Sequence, residues 1–179
     1  MEIIQTIQKN LSYGSLTKID PNTQQVPEEK QEMGINALAQ AGIPAILLGI
    51  FARLEQNPEW KLTESAEIRQ LEQIFGSSTK AVIGKIQEYA RIPDQHSVQE
   101  LEHMADECMR VIRKNTSENR DGHTVQKFVA SNKPGVIQYL PPELGLGILL
   151  NNNTLDDRTG KMNGPVSGLM HQMEKMFEA

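Results

Sequence analysis

The residues best suited to bind a metal ion are four histidines and a single cysteine. His103 and Glu107 are four residues apart on a predicted helix, which would place both side chains on one face, and Cys108 follows directly. The helical period puts Cys108 on the opposite, apolar stripe, while the face of His103 is typical of a solvated, charged surface. No second histidine completes a helical pair. The pattern therefore predicts surface histidines and a buried, unreactive Cys108, with no metal site and no cofactor.

Two loops carry some of the features of a calcium site or a phosphate site. A calcium loop that starts at Asn151 would have Leu155 at its fifth position, where an oxygen ligand is needed. A loop that starts at Asp156 would have Arg158 at its third position, which fits no better. Residues 144–147 (LGLG) lack the glycine spacing and the polar residues of a phosphate loop. The asparagine-rich stretch is therefore predicted as a turn that follows a helix end.

A helix pair around residues 89–99 has the proportions of a DNA-binding helix-turn-helix, but its charges oppose that function. The second helix carries more carboxylates than cations, and the whole chain has a net charge of −5 and a sequence pI of about 5.4. Such a face would repel phosphates, so we expect no nucleic-acid partner. The charged residues of this helix are Glu100, Glu102, Asp106, Glu107, Arg110 and Arg113.

The end of the chain holds the candidate interaction surface. Pro165 would begin a helix whose apolar residues share one stripe, and methionine is favoured on adaptable binding surfaces. This helix would either dock on its own domain or contact a partner protein or a second copy. The stripe consists of Val166, Leu169, Met170, Met173 and Phe177. The candidate interaction surface consists of Asp156, Asp157, Arg158, Met162, Met170, His171 and Met173.

The elements that position these residues are predicted as helices around one apolar segment. The unbroken apolar run 41–52 has 12 residues, whereas about 20 are needed to span a bilayer. We therefore expect a buried core helix and no membrane span. This helix should extend from about residue 28 to residue 56. Because Pro44 removes one backbone hydrogen bond, a kink or break is expected near Gln40.

No run of useful length has the period of a strand, so the predicted fold class is all-α. We expect a multi-helix bundle of roughly six to eight helices around a central Ala/Gly-rich apolar helix. Gly42, Ala45 and Gly49 on that central helix should let another helix approach closely.

Further signals mark the other helices. Ile3, Ile4, Ile7 and Leu11 recur at helical spacing and predict a short first helix. Gly76 should end one helix, and Ser97 should begin another through a capping box. Residues 113–122 are the most linker-like stretch, and a new turn of helix is expected to begin at Pro134. A faint internal repeat aligns residues 71–86 with residues 125–140; each is predicted as a helix end, a turn and a second helix.

Size and composition suit one domain with an extension. The 179 residues divide into a helical domain, 1–150, and a part comprising a turn and a C-terminal amphipathic helix, 151–179. One cysteine cannot form an internal disulfide, which fits a reducing compartment. The N-terminus has neither the basic region nor the apolar stretch of a signal peptide, so the expected location is the cytoplasm.

Three segments together resemble a known family. They are residues 40–45 (QAGIPA) with the apolar tail that follows, residues 125–147 (VQKFVASNKPGVIQYLPPELGLG), and Asp156-Asp157-Arg158-Thr159 followed by Met162, Gly164-Pro165 and Met170-His171. Over roughly residues 28–171 the chain resembles the YidB-like bacterial proteins, a domain of unknown function, and in particular a group typical of Bacteroidetes. The resemblance implies an all-α bundle, often a standalone cytoplasmic protein. It implies no activity, so it carries over no functional residue.

Two functions of different kinds follow from these features. The first is a non-enzymatic helical module that acts through protein–protein contacts or self-association, since no reactive cluster accompanies the scaffold and the terminal helix is rich in methionine. The alternative is a helical bundle that binds a small molecule or a lipid in a groove near Pro44. An enzyme would need polar side chains that converge on one cleft, and the sequence does not indicate such a cleft.

Overall fold

A helix that is apolar on every side forms the centre of the protein. The computed structural model describes residues 2–19, 34–62, 69–92, 95–116 and 121–149, and these contain helices and no strand. The all-α fold class is therefore confirmed for this part of the chain. The helices are α1 (Ile3–Asn10), α2 (Ile35–Gln56), α3 (Gln70–Phe75), α4 (Thr79–Ala90), α5 (Gln95–Thr116), α6 (Gly122–Ile137) and α7 (Leu146–Leu149), with 3-10 turns at Gly76–Ser78 and Pro142–Leu144.

Helix α2 is the central helix. Every residue from Ala41 to Phe51 is buried, and the helix lies against α1, α3, α4, α5 and α6. A helix with no polar face is stable in water only when other elements cover it. The surrounding helices cover α2 with their own apolar residues. Helix α1, for example, buries Ile3, Ile4 and Ile7, as their spacing predicts.

The proline inside α2 does not end it. The helix runs as one element from Ile35 to Gln56 and includes Pro44. The predicted start near residue 28 lies outside the described residues. Since Pro44 has no N–H group, the carbonyl of Gln40 loses its usual helical partner. The side chain of Gln40 is important for the candidate site below.

Two glycines of α2 allow other helices to approach closely, as predicted. A Cβ atom built on Gly42 would lie 2.7 Å from Leu101 Cδ2 of α5. A Cβ atom on Gly49 would lie 2.5 Å from Phe75 Cε1 of α3. Both distances are too short for real atoms, so these positions require glycine unless the neighbouring side chains move.

The helix ends follow the sequence in some places and depart from it in others. Gly76 ends α3 with a φ of +57°, as predicted. The capping box at Ser97 is wrong, because α5 already begins at Gln95. The Ser97 hydroxyl is buried and accepts a hydrogen bond from Gln87 Nε2 of α4 at 2.7 Å. A contact with another helix thus uses the hydroxyl that the capping box would have used.

The predicted linker and the predicted repeat are also corrected. Helix α5 continues to Thr116, whose buried hydroxyl donates to the Ile112 carbonyl, so residues 113–116 of the predicted linker are helical. Helix α6 passes through Pro134 without ending. Residues 71–86 contain a break at Gly76, whereas 125–137 form one continuous helix, so the two segments do not share the predicted helix–turn–helix pattern.

Candidate interaction site

The interaction surface predicted at the end of the chain lies outside the described residues. The residues concerned are Asp156, Asp157, Arg158, Met162, Met170, His171 and Met173. Within the described part, polar side chains gather where the N-terminus of the chain crosses α2, α5 and the end of α6. We call residues 2–19, which comprise α1 and the irregular segment after it, the N-terminal clasp.

Gln40 of α2 holds the clasp by its main chain. Its Oε1 atom accepts a hydrogen bond from the Thr17 N–H at 2.8 Å, and its Nε2 atom donates to the Thr17 carbonyl at 3.0 Å. The same Nε2 donates to the Tyr139 carbonyl, beyond the end of α6, at 2.8 Å. One amide group therefore uses its acceptor and both its donors to join three parts of the fold.

The end of α6 makes two further contacts with the clasp. The Ile19 N–H donates to the Gln138 carbonyl at 2.7 Å, and the Tyr139 hydroxyl donates to Glu2 Oε2 at 2.9 Å. Lys18 Nζ lies 3.1 Å from Glu2 Oε1 and 5.5 Å from the centroid of the Tyr139 ring. The hydrogen bond from Tyr139 and then that from Lys18 hold the pKa of Glu2 below its ordinary value. Glu2 is thus ionised at neutral pH and anchors the start of the clasp.

Helix α5 binds the clasp through two carboxylates. The Tyr13 hydroxyl donates to Glu100 Oε2 at 2.7 Å, and Asn10 Nδ2 donates to Glu107 Oε1 at 2.7 Å. Arg110 donates two further hydrogen bonds to Glu107. Burial by itself would raise the pKa of Glu107, but the hydrogen bonds from Arg110 and Asn10 outweigh it and lower the pKa.

A third carboxylate of α5 lies against α3. Glu102 Oε2 accepts a hydrogen bond from the N–H of Leu71, in the first turn of that helix, at 3.2 Å. Burial raises the pKa of Glu102, and the hydrogen bonds from the α3 backbone oppose this only in part. The predicted solvated surface around Glu107 is therefore wrong: its side chain is only 11% exposed. Tertiary packing of α1 and α3 on α5 covers carboxylates that the helical period alone assigns to solvent.

The candidate metal ligands do not come together. His103 is exposed and Cys108 is fully buried in the core, as their spacing predicts. Burial raises the pKa of the Cys108 thiol well above its ordinary value, which keeps it protonated. Among the described residues, no three histidine, cysteine, aspartate or glutamate side chains are placed to hold a metal ion.

The region of Pro44, proposed from sequence as a groove, is packed by the chain's own side chains. Pro44 is buried, Leu101 and Met104 cover Gly42, and Ile74 and Phe75 cover Gly49. A ligand at either glycine would have to displace these side chains.

One helix in the described part of the chain is long and apolar enough to cross a membrane. This is α2, with 22 residues and a mean hydropathy of 1.8 over its most apolar window. Of that window, 78% is buried inside the protein. Length and composition alone do not distinguish the core helix of a soluble protein from a membrane span.

Sequence reasoning did not identify the residues that hold the clasp. One available signal was Gln40, an amide side chain within the apolar stretch 37–52, four residues before Pro44. Its two partner residues, Thr17 and Tyr139, are however 23 and 99 residues away, so no local pattern could have named them.

Comparisons of the chain with protein-family models, with curated proteins and with solved structures find no match.

Proposed function

We propose that the chain is a non-enzymatic helical module that acts through protein–protein contacts or self-association. One support comes from how the chain uses its carboxylates. Glu100, Glu102 and Glu107 all accept hydrogen bonds from other elements of the same chain. Groups that bind the fold together in this way are poorly placed to act on a substrate, because a reaction would first have to break those bonds.

One observation supports placing the contact surface outside the described residues. Among the described residues, Ile35 is the one large hydrophobic side chain that is exposed, at 44%. An isolated exposed hydrophobic residue is normal and does not indicate an interface. Outside the described residues, the sequence predicts an apolar stripe on residues 166–177. We therefore assign the contact surface to that stripe and to the polar turn before it.

Light scattering after size-exclusion chromatography tests this assignment. The full chain is compared with a double variant, Met170→Glu with Met173→Glu, which places two charges on the stripe. The control, Ser167→Glu with Gln172→Glu, adds the same charge off the stripe. We expect the wild type and the control to associate as concentration rises, and the stripe variant to remain monomeric. If all three proteins have the same mass at every concentration, the stripe is not a self-association surface.

The alternative, a small-molecule or lipid site near Pro44, has no specific observation in its favour among the described residues. Our proposal also includes features that rest on the sequence alone: a YidB-like, bacterial and cytoplasmic protein, six to eight helices over the whole chain, and two parts that meet at residues 150 and 151. It further includes a protein or a second copy as partner, without nucleic acid and without a membrane span.

A further inference from the structure

The N-terminal clasp is a unit with its own internal contacts. Lys18 binds Glu2, and the Leu16 N–H donates to Gln8 Oε1 at 3.3 Å, so the irregular segment folds back along α1. Both of these bonds lie within the clasp of one chain. They would be kept if the clasp left the rest of the protein as one piece.

The seat that receives the clasp is equally well defined. Its polar groups are the amide of Gln40, the carboxylates of Glu100 and Glu107, the Gln138 carbonyl and the Tyr139 hydroxyl. Each of these groups binds the clasp and comes from α2, from α5 or from the end of α6. The apolar part of the contact is made by the three buried isoleucines of α1, together with the partly buried Leu11, Tyr13 and Leu16.

Opening the clasp would raise the free energy of both the clasp and its seat. It would expose the three buried isoleucines of α1 together with the core surface that they cover. It would also leave polar groups of the seat without their partners. Two arrangements avoid this cost: the clasp in its own seat, or the clasp in an identical seat on another molecule.

We propose that the seat also accepts the clasp of a second copy of this chain, so that two molecules exchange their residues 2–19 reciprocally. Every contact of the closed monomer is then reproduced, because both copies carry the same clasp and the same seat. The clasp of the same chain competes for the same seat, so exchange should increase with protein concentration. This inference rests on the self-association part of the proposed function, and it adds a second surface at the opposite end of the chain.

Cysteine cross-linking between two differently labelled copies tests the exchange. One copy carries Ile19→Cys and the other, enlarged by a tag, carries Gln138→Cys, since the main chains of these residues are hydrogen-bonded at 2.7 Å. The buried Cys108 is left in place. A matched mixture combines Ser15→Cys, an exposed residue of the clasp, with Gln138→Cys. A single chain that carries both Ile19→Cys and Gln138→Cys reports the contact within one molecule.

We expect the single chain to close an internal disulfide. We also expect the first mixture to form several-fold more tagged–untagged cross-link than the Ser15→Cys mixture, increasingly so from about 10 μM to about 1 mM. If the single chain closes but the two mixtures do not differ, exchange is excluded. If the single chain does not close, the clasp is not seated as described and the inference also fails. Adding Met170→Glu and Met173→Glu to both copies separates the two surfaces: a persistent cross-link without the stripe-dependent mass assigns exchange to the clasp alone.

Discussion

Gly49 and Gly84 both lie in helices, but we expect substitution by alanine to change the free energy of unfolding in opposite directions at the two positions. A methyl group on Gly49 would collide with Phe75 and Ile74, whereas nothing lies within 4 Å of the corresponding position on Gly84. We expect Gly49→Ala to lower the free energy of unfolding by about 1–3 kcal/mol through overpacking. Gly84→Ala should raise it by roughly 0.5–1 kcal/mol, because alanine loses less backbone entropy on folding. Urea unfolding followed by circular dichroism measures both, and equal effects would contradict the close packing of α2 on α3.

Gln40 is the residue on which the seat of the clasp depends most. Replacing it with leucine would remove three hydrogen bonds, two of them to the main chain of Thr17. We expect Gln40→Leu to lower the free energy of unfolding by about 2 kcal/mol and to speed hydrogen exchange of the Thr17 and Ile19 amides. Mass spectrometry of exchanged peptides measures the second effect.

The control for Gln40 is Gln126→Leu, which makes the same change at an exposed position of α6. This variant should leave exchange of residues 13–19 unaltered. Similar exchange in both variants would mean that Gln40 does not hold the clasp.

At the scale of elements, α5 acts as the polar support for both the N-terminal clasp and α3. Three of its glutamates serve this role, and the pKa values of two of them shift in opposite directions. The pKa of Glu107 lies below its ordinary value of 4.5, while that of Glu102 lies above. A glutamate whose folded-state pKa is lowered stabilises the fold fully above pH 4.5, and this contribution is lost as pH falls through the folded-state value.

Glu107→Gln should therefore destabilise the protein in a pH-dependent way. We expect a loss of about 1 kcal/mol at pH 7, a value kept small by the solvent access of Arg110, and a smaller loss below pH 4.5. Urea midpoints at neutral and acidic pH measure the difference. Glu88→Gln, at an exposed position of α4, serves as control and should show no such change. A loss that stays constant across this range would show that the charge of Glu107 is not what binds Asn10 and Arg110.

The elements show which local signals determine structure. The spacing of Ile3, Ile4 and Ile7 predicts α1 correctly, because those positions form a stripe whatever covers them. Gly76 ends α3 because few other residues adopt its positive φ. The capping box predicted at Ser97 was wrong because a serine hydroxyl can either cap its own helix or bind another helix, and only packing decides between the two. The new helical turn predicted at Pro134 was wrong because a helix with other contacts tolerates one missing hydrogen bond.

At the scale of the whole molecule, the candidate site was less predictable than the fold. The helical period assigns an apolar face to α5 correctly, with Cys108 inside. It cannot show that Glu100 and Glu107 meet Tyr13 and Asn10, because these partners are 87 and 97 residues away in the sequence. Contacts of that range depend on how α1 crosses α5, which no local pattern encodes.

Removal of residues 165–179 is the prediction that concerns the whole chain. The helix predicted from sequence for residues 165–178 would be marginal alone in water, so its stripe of five apolar residues would need a surface to cover it. We expect the truncated protein either to melt at a lower temperature or to lose an assembly that the full chain forms. Differential scanning calorimetry and light scattering distinguish these two results. An unchanged melting temperature together with an unchanged mass would show that the segment is a free tail.

The burial of α2 on all sides also has a consequence for biosynthesis. The ribosome completes this apolar helix at Gln56, but α4, α5 and α6, which cover most of it, end only at Ile137. At translation rates of about 5–20 residues per second, the apolar helix α2 is synthesised roughly 4–16 s before the helices that bury it are complete. The nascent chain should therefore be a client of ribosome-associated chaperones during this interval, and any pause in translation between these two points should favour aggregation.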